Sequence, residues 1–396
     1  MSVLKPVRGN SLRPRPVLMK TRLATIHGPA HLSSQAGTDL LESGQLISRT
    51  ALEAYQSRDY EVCDALLARY EAQCPLPMEL LTLRGQSLIA QGRLNEAVEA
   101  LEIANANSHD PQVNYHLAYA HEQLGCHEQA VVLIDDETLR DVPKAIILKM
   151  RALHRLGRLD ESIELGMRSQ AHVTHGKDVC GLLANVLIDA GRCSEARRFV
   201  ERAHETADGC TAGGLLALDA LDRRLALTLF RRALSLDPQS SRARLGEGLC
   251  LLGFENHAAA ALCFDHAATL LDQHASAWVV AAWVHLLNQD IAQARTRFER
   301  ACHVDHGFAE AHGGLALVCL YEGNIDEAGV HAEQSIRLSR DCLSGTLALS
   351  LLLAQAGDFS AAQQARQSIA CHPLGRDGLS IAKGLARRAM RHTSPS

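Results

Sequence analysis

The sequence predicts an all-α chain of about ten helix-turn-helix units stacked in tandem, and three observations predict it. A module of about 34 residues recurs from Gly44 to Arg376. Its twentieth position is always small: Cys63, Ala97, Ala130, Ser162, Ala196, Ala226, Ala260, Ala294, Ala328 and Ala362. A position that never admits bulk across tandem copies is where one helix presses against another. Glycine also marks the middle of the module in six copies, at Gly92, Gly125, Gly157, Gly191, Gly323 and Gly357. Glycine just past a helix end takes the left-handed conformation at little steric cost, so each marks a turn.

The units begin at Gly44, Met78, Pro111, Pro143, Lys177, Ala207, Ser241, Ala275, Ala309 and Leu343. In the run from Ala275 to Phe308, Trp278, Ala281, Ala282 and His285 fall on one helical stripe and Ala294, Phe298 and Ala301 on a second, so each unit holds two amphipathic helices. Acidic residues follow the turn in Leu159-Asp160-Glu161-Ser162 and Ile325-Asp326-Glu327-Ala328, where they suit the positive end of the second helix. The 4% aromatic content beside 47% hydrophobic content suits helices that pack through small side chains. A chain of 396 residues would ordinarily suggest two or three domains, but repeats stack into one quasi-one-dimensional core.

Three regions are expected. Residues 1–43 form a basic segment, 44–376 the repeat array, and 377–396 a capping helix and tail in which Ile381, Leu385 and Met390 oppose Arg387, Arg388 and Arg391. The unit from Lys177 is short, and Gly209, Gly213 and Gly214 weaken the next first helix by up to about 1 kcal/mol each. A break near 204–214 is therefore expected, although Gly214 also fills a position that is small elsewhere, as at Ala282 and Ala316.

Charge excludes some functions. Residues 1–38 carry Lys5, Arg8, Arg13, Arg15, Lys20 and Arg22 with no acid, the tail is basic too, and the net charge is −5, so the body is strongly acidic. An acidic array is a poor binder of nucleic acid. The prolines of the leader, Pro6, Pro14, Pro16 and Pro29, point to disorder. It reads as a solvated tail, as an over-long start with Met19 as the initiator, or as a targeting or secretion-related segment. It lacks the apolar core of a secretory signal, and no later run is apolar for long enough to span a bilayer.

The twelve cysteines have neither metal-ligand nor redox spacing, and several sit where other copies hold Ala or Leu. They read as small apolar packing residues in a reducing cytoplasm. Arginine outnumbers lysine 34 to 6, which points to a GC-rich, bacterial coding sequence. No phosphate-cradling loop, dinucleotide glycine fingerprint, nucleophile elbow or zinc-protease helix is present, so neither an enzyme nor a cofactor is expected. Cys302, His303, His306 and His312 read as surface side chains at a join of two units. His121, Glu122 and His127 have the wrong spacing for a two-histidine metal face.

The pattern resembles the tetratricopeptide repeat. The pieces that carry the resemblance are the paired small positions, as in Ala282 with Ala294, the aromatics Phe230, Phe264 and Phe298, the later small residues Ala233, Ala267 and Ala301, and Asp237-Pro238 closing one unit. The first-helix tryptophan of the family survives only as Trp278. The resemblance implies a right-handed α-solenoid whose first helices line a concave groove that holds a protein or peptide partner. The family's carboxylate-clamp pattern is not reproduced, and Asn185 stands nearly alone where some long arrays carry an asparagine ladder.

The candidate groove changes character along the chain. Its early half is polar: Tyr115, Tyr119, Glu122 and Gln123, then Lys144, Arg151, His154 and Arg155, then Asn185. Arg151 and Arg155, one turn apart, suit an acidic peptide. Its late half is apolar: Leu245, Leu249 and Leu252, then Val279, Trp283, Leu286 and Leu287, then Leu317, Leu320 and Tyr321, then Leu347 and Leu351. An apolar wall of that size binds a partner segment, mediates self-association, or is buried by tight coiling. The expected function is a non-enzymatic interaction scaffold or adaptor, the alternative a chaperone or assembly factor for a secreted or membrane-associated client, as in a bacterial secretion system.

Overall fold

The computed structural model describes residues 35–106, 109–171 and 175–371. The leader up to residue 34, Met19 included, and the expected capping helix within 377–396 lie outside the described residues. The described residues form 21 α-helices and no strand. Taken in pairs, α1 (Gln35–Gln56) meets α2 (Tyr60–Glu71), α3 (Met78–Gln91) meets α4 (Leu94–Ala106), and α5 (Pro111–Gln123) meets α6 (His127–Leu133). After the short α7 (Asp136–Asp141), α8 (Lys144–Arg155) pairs with α9 (Leu159–Ser169) and α10 (Gly176–Asp189) with α11 (Cys193–Ala203). Five hairpins follow: α12 (Ala207–Asp219) with α13 (Arg223–Leu236), α14 (Ser241–Gly253) with α15 (His257–Leu270), α16 (Ala275–Leu287) with α17 (Ile291–Val304), α18 (Ala309–Glu322) with α19 (Ile325–Leu338), and α20 (Leu343–Gln355) with α21 (Phe359–Cys371). From the second unit onward the first helices start within one residue of the repeat boundaries. In the first, α1 begins well before Gly44.

The small positions do what their sequence pattern demands. All ten are buried, and all but Ala362, at 3%, have no accessible surface. Large residues of second helices fit against glycines of first helices. A Cβ added to Gly214 or Gly246 would lie 2.7 or 2.3 Å from the Phe230 ring, and one added to Gly314 would lie 2.1 Å from Phe298. The three glycines of α12 all have packing reasons: Gly209 meets the Ala203 carbonyl, Gly213 meets Val200 and Leu229, and Gly214 meets Phe230.

All ten hairpin turns place one residue in the left-handed region. Six are the glycines read from the sequence, and the other four are Arg58 (φ 64°), Leu221 (φ 63°), Glu255 (φ 60°) and Gln289 (φ 61°). These four are each followed by a side chain that caps the second helix. Asp59, Asp222, Asn256 and Asp290 accept from the backbone N–H of Val62, Leu225, Ala259 and Gln293 at 3.0–3.3 Å. After Gly92, Gly157 and Gly191 the next residue is instead an arginine, and Arg93, Arg158 and Arg192 pair with Glu96, Glu161 and Glu195 three positions on.

The extra helix α7 departs from the expected two helices per unit. The chain leaves α6 at Ile134, which is buried in non-helical conformation, and restarts where Asp135 accepts from the Thr138 N–H at 2.8 Å. By internal contacts the chain divides into two compact units, one ending at Leu182 and one beginning at Leu183. The core of the first centres on Leu67, Leu80, Leu101, Ile134, Leu148 and Met150, and that of the second on Phe199, Phe230, Phe264, Phe298 and Trp283.

Candidate functional site

First helices carry most of the polar residues that the sequence assigns to a groove, and many of these tie neighbouring helices together. In the unit up to Leu182, the Gln86 and His116 side chains meet at 2.8 Å between α3 and α5. Burial holds His116 at about 4, well below the ordinary imidazole range, with Lys144 adding to the shift. Arg155 Nε of α8 lies 3.1 Å from Glu122 Oε1 of α5, and both side chains are under a tenth exposed. The Arg155 Nε itself makes no hydrogen bond, although it lies within ion-pair distance of that oxygen. Gln123 donates to the other Glu122 oxygen at 2.7 Å. Tyr115 and Tyr119 are buried, and burial pushes the Tyr115 hydroxyl up to about 12. His154 is buried as well, whereas Lys144 and Arg151 are half-buried.

In the unit from Leu183, Asn185 Nδ2 of α10 donates to the Asp208 carbonyl of α12 at 2.9 Å. Arg242 grips Asp189 through two bonds of 2.7 Å. Glu310 of α18 caps α20, accepting from the N–H groups of Leu343 and Ser344 at 2.9 and 3.3 Å and from the Ser344 hydroxyl. Sequence reasoning did not single out Glu310, Asp208 or Arg242.

The late apolar residues come together, but mostly inside. Leu245, Leu252, Val279, Trp283, Leu317 and Leu347 are buried in one core cluster, and Leu249, Leu286, Leu287, Leu320 and Leu351 pack partly buried against it. Trp283 is 1% exposed and sits edge-on to Phe298 with ring centres 6.2 Å apart. Tyr321 alone of this set stands well out, at 61%. The reason is contact between successive first helices, α16 with α18 and α18 with α20, which fills the intervening space with these side chains. Of the three readings of this wall, burial by coiling is the one these positions favour, since its side chains are largely interior in this conformation.

One surface recess was not foreseen. It lies between α4 and α6 with α5 as its floor, has a volume of about 580 Å³, and is lined among others by Glu102, Asn105, Leu117, His121, Glu128 and Val132. Asn105 Oδ1 and His121 Nδ1 are buried there without a hydrogen-bond partner. Burial also holds His121 below its ordinary range, Glu102 opposing the shift.

Comparison with protein families decides the class. Models described as tetratricopeptide repeat match residues 82–146 and 211–277, and a second such model matches 275–300. The chain is a tetratricopeptide-repeat protein. Among solved structures, a monomeric IFIT1 mutant with Gppp-AAAA is 14% identical and aligns over 82% of this chain and 89% of its own, with a TM-score of 0.50. The Cut9–Hcn1 hetero-tetramer of the APC/C is 12% identical over 90% and 93%, TM-score 0.42, and PilF of Pseudomonas aeruginosa 17% over 55% and 97%, TM-score 0.42. At these identities the likeness speaks to the fold alone. No curated protein sequence matches.

Two further groups in this repeat protein bear on chemistry. His303 and His306 are exposed as expected, but His312 is buried on α18. There its ring stacks on His331 with centres 5.7 Å apart and its Nδ1 lies 3.8 Å from Cys302 Sγ. The expectation of a surface site fails for His312 because α18 turns that position toward α19. Among the described residues no group of three or more His, Cys, Asp or Glu side chains is arranged to hold a metal ion. The described cysteines are free thiols, and burial pushes Cys63, Cys250, Cys263 and Cys302 up to about 11, which makes them poor nucleophiles.

Proposed function

We propose that this chain is a non-enzymatic scaffold that holds protein or peptide partners on its first-helix faces. The observation that carries the reading is the division of labour within each hairpin. The ten small positions are buried where the helices of each hairpin press together, while some first-helix side chains keep accessible surface. Lys144 and Arg151 in the early units, and Tyr321 in the late ones, are of this kind. Arginine and tyrosine are types that concentrate binding energy at interfaces. The client-shielding alternative leaned on an open apolar wall, and the burial of Trp283, Leu317 and Leu347 favours the scaffold over it. No helix among the described residues is long and apolar enough to cross a membrane. Buried free thiols accord with a reducing cytoplasm.

Affinity capture from the native cell, with wild-type chain beside Lys144→Ala/Arg151→Ala and Tyr321→Ala, tests the proposal. The expected result is one or more folded partners recovered in fixed ratio and lost from at least one variant whose melting temperature is unchanged. Partners retained equally by both variants would remove the first helices from the interaction. Recovery of a single, otherwise insoluble client would favour the chaperone reading.

A further inference from the structure

The second helix of the third hairpin is the shortest of its kind. Among the described residues α6 spans 7 residues where its counterparts span 11 to 14. The chain turns away at Ile134 into α7, so α6 stops short, and the recess of about 580 Å³, lined from α4, α5 and α6, opens beside it.

The chemistry of that recess is one-sided. Glu102 on α4 has no ion-pair partner among the described residues. Glu128 on α6 is shared with Arg158 at 3.2 Å, but Arg158 is held more closely by Glu161 at 2.6 Å. Asn105 Oδ1 is a buried acceptor with nothing to accept, and His121 Nδ1 becomes a second when the ring proton sits on Nε2. An unmet buried acceptor is unfavourable until a donor arrives. Leu117 and Val132, the latter 77% exposed, add an apolar lining. Two carboxylates disfavour an anion, and an apolar ligand would leave the acceptors unmet.

We propose that this recess receives an arginine side chain of a protein partner, its guanidinium between Glu102 and Asn105 and its methylene stem against Leu117 and Val132. A guanidinium brings five donors and no acceptor, and it is more weakly hydrated than an ammonium, which suits a partly apolar site better than lysine would. The inference rests on the interaction-module reading but places the contact on the α4–α6 side instead of the first-helix faces.

The test uses the full chain with labelled Leu and Val methyl groups, titrated with N-acetyl-L-arginine amide and with its neutral isostere, N-acetyl-L-citrulline amide. The arginine probe is expected to shift the Leu117 and Val132 methyl signals saturably, and the citrulline probe to bind about tenfold more weakly. In Glu102→Gln/Asn105→Ala the arginine affinity is expected to fall by about tenfold or more. Methyl signals remote from the recess should stay in place, which verifies the fold. Absence of saturable shifts, equal affinity for the two probes, or an arginine affinity unmoved by the double substitution would overturn the proposal. Because the probe is a small molecule, failure here leaves the partner-capture result standing. Loss of no partner from the first-helix variants would sink only the earlier reading.

Discussion

Successive first helices are joined by different chemistry on either side of residue 182. Up to Leu182 the joints include polar pairs, Gln86 with His116 and Glu122 with Arg155. From Leu183 the larger joints are apolar, built on Trp283, Leu317 and Leu347, with Glu310 as a capping carboxylate. The lesson is that one repeat backbone tolerates both solutions because the small position and the left-handed turn, not the first-helix face, define the hairpin. The two solutions should fail differently. Apolar joints should respond to lost volume, polar joints to unpaired charge and to acid.

The largest expected effect is in the apolar region. Trp283→Ala removes a fully buried ring and should lower stability by about 3–5 kcal/mol, whereas Tyr321→Ala nearby on the surface should stay within about 0.5 kcal/mol. Denaturant unfolding of both variants checks this, and equal effects would mean that the wall is not core. In the polar region, Glu122→Leu removes the carboxylate beside the buried Arg155 guanidinium and should destabilise clearly, while Glu122→Leu/Arg155→Met should recover most of the loss, since an apolar pair of similar volume replaces a buried ion pair at little cost. A double substitution no better than the single one would assign Arg155 another essential role.

Acid sharpens the comparison. The His116 pKa falls from 6.5 unfolded to about 4 folded, so its contribution is complete above pH 6.5 and is lost as pH falls toward 4. Hydrogen exchange in α3–α6 should accelerate across that window before exchange in α12–α16 does, and His116→Phe, if tolerated, should blunt the effect. Exchange in α12 itself is expected to match its flanking helices, given the packing around Gly209, Gly213 and Gly214. Faster exchange there would instead support a break near 204–214.

The smallest effects concern the turns. Leu221 carries a left-handed strain of roughly 1–2 kcal/mol, so Leu221→Gly should raise the melting temperature slightly, and Asp222→Ala should cost about 1 kcal/mol through the lost cap. Arg93→Ala, in an exposed pair after a glycine that needs no compensation, should change little.

The hairpins were legible because their signals are local and repeated. Ala294 and its nine equivalents fix the joint, and glycine fixes most turns. The four turns without glycine were hidden, yet Asp or Asn at the next position was a readable sign. The fate of the first-helix faces was not legible, because periodicity shows that Trp283 lies on a stripe but not whether the next first helix covers it. The recess was missed for a similar reason. It depends on where α6 stops, and the run Val131-Val132-Leu133-Ile134 reads as continuous helix until the structure shows Ile134 leaving it.

The most direct test of the account uses the two tryptophans. With Trp278→Phe, Trp283 becomes the sole indole, and in the isolated chain its emission should be blue-shifted and nearly insensitive to acrylamide. Red-shifted emission with ready quenching would contradict the claim that successive first helices bury this face and would restore it as an open groove.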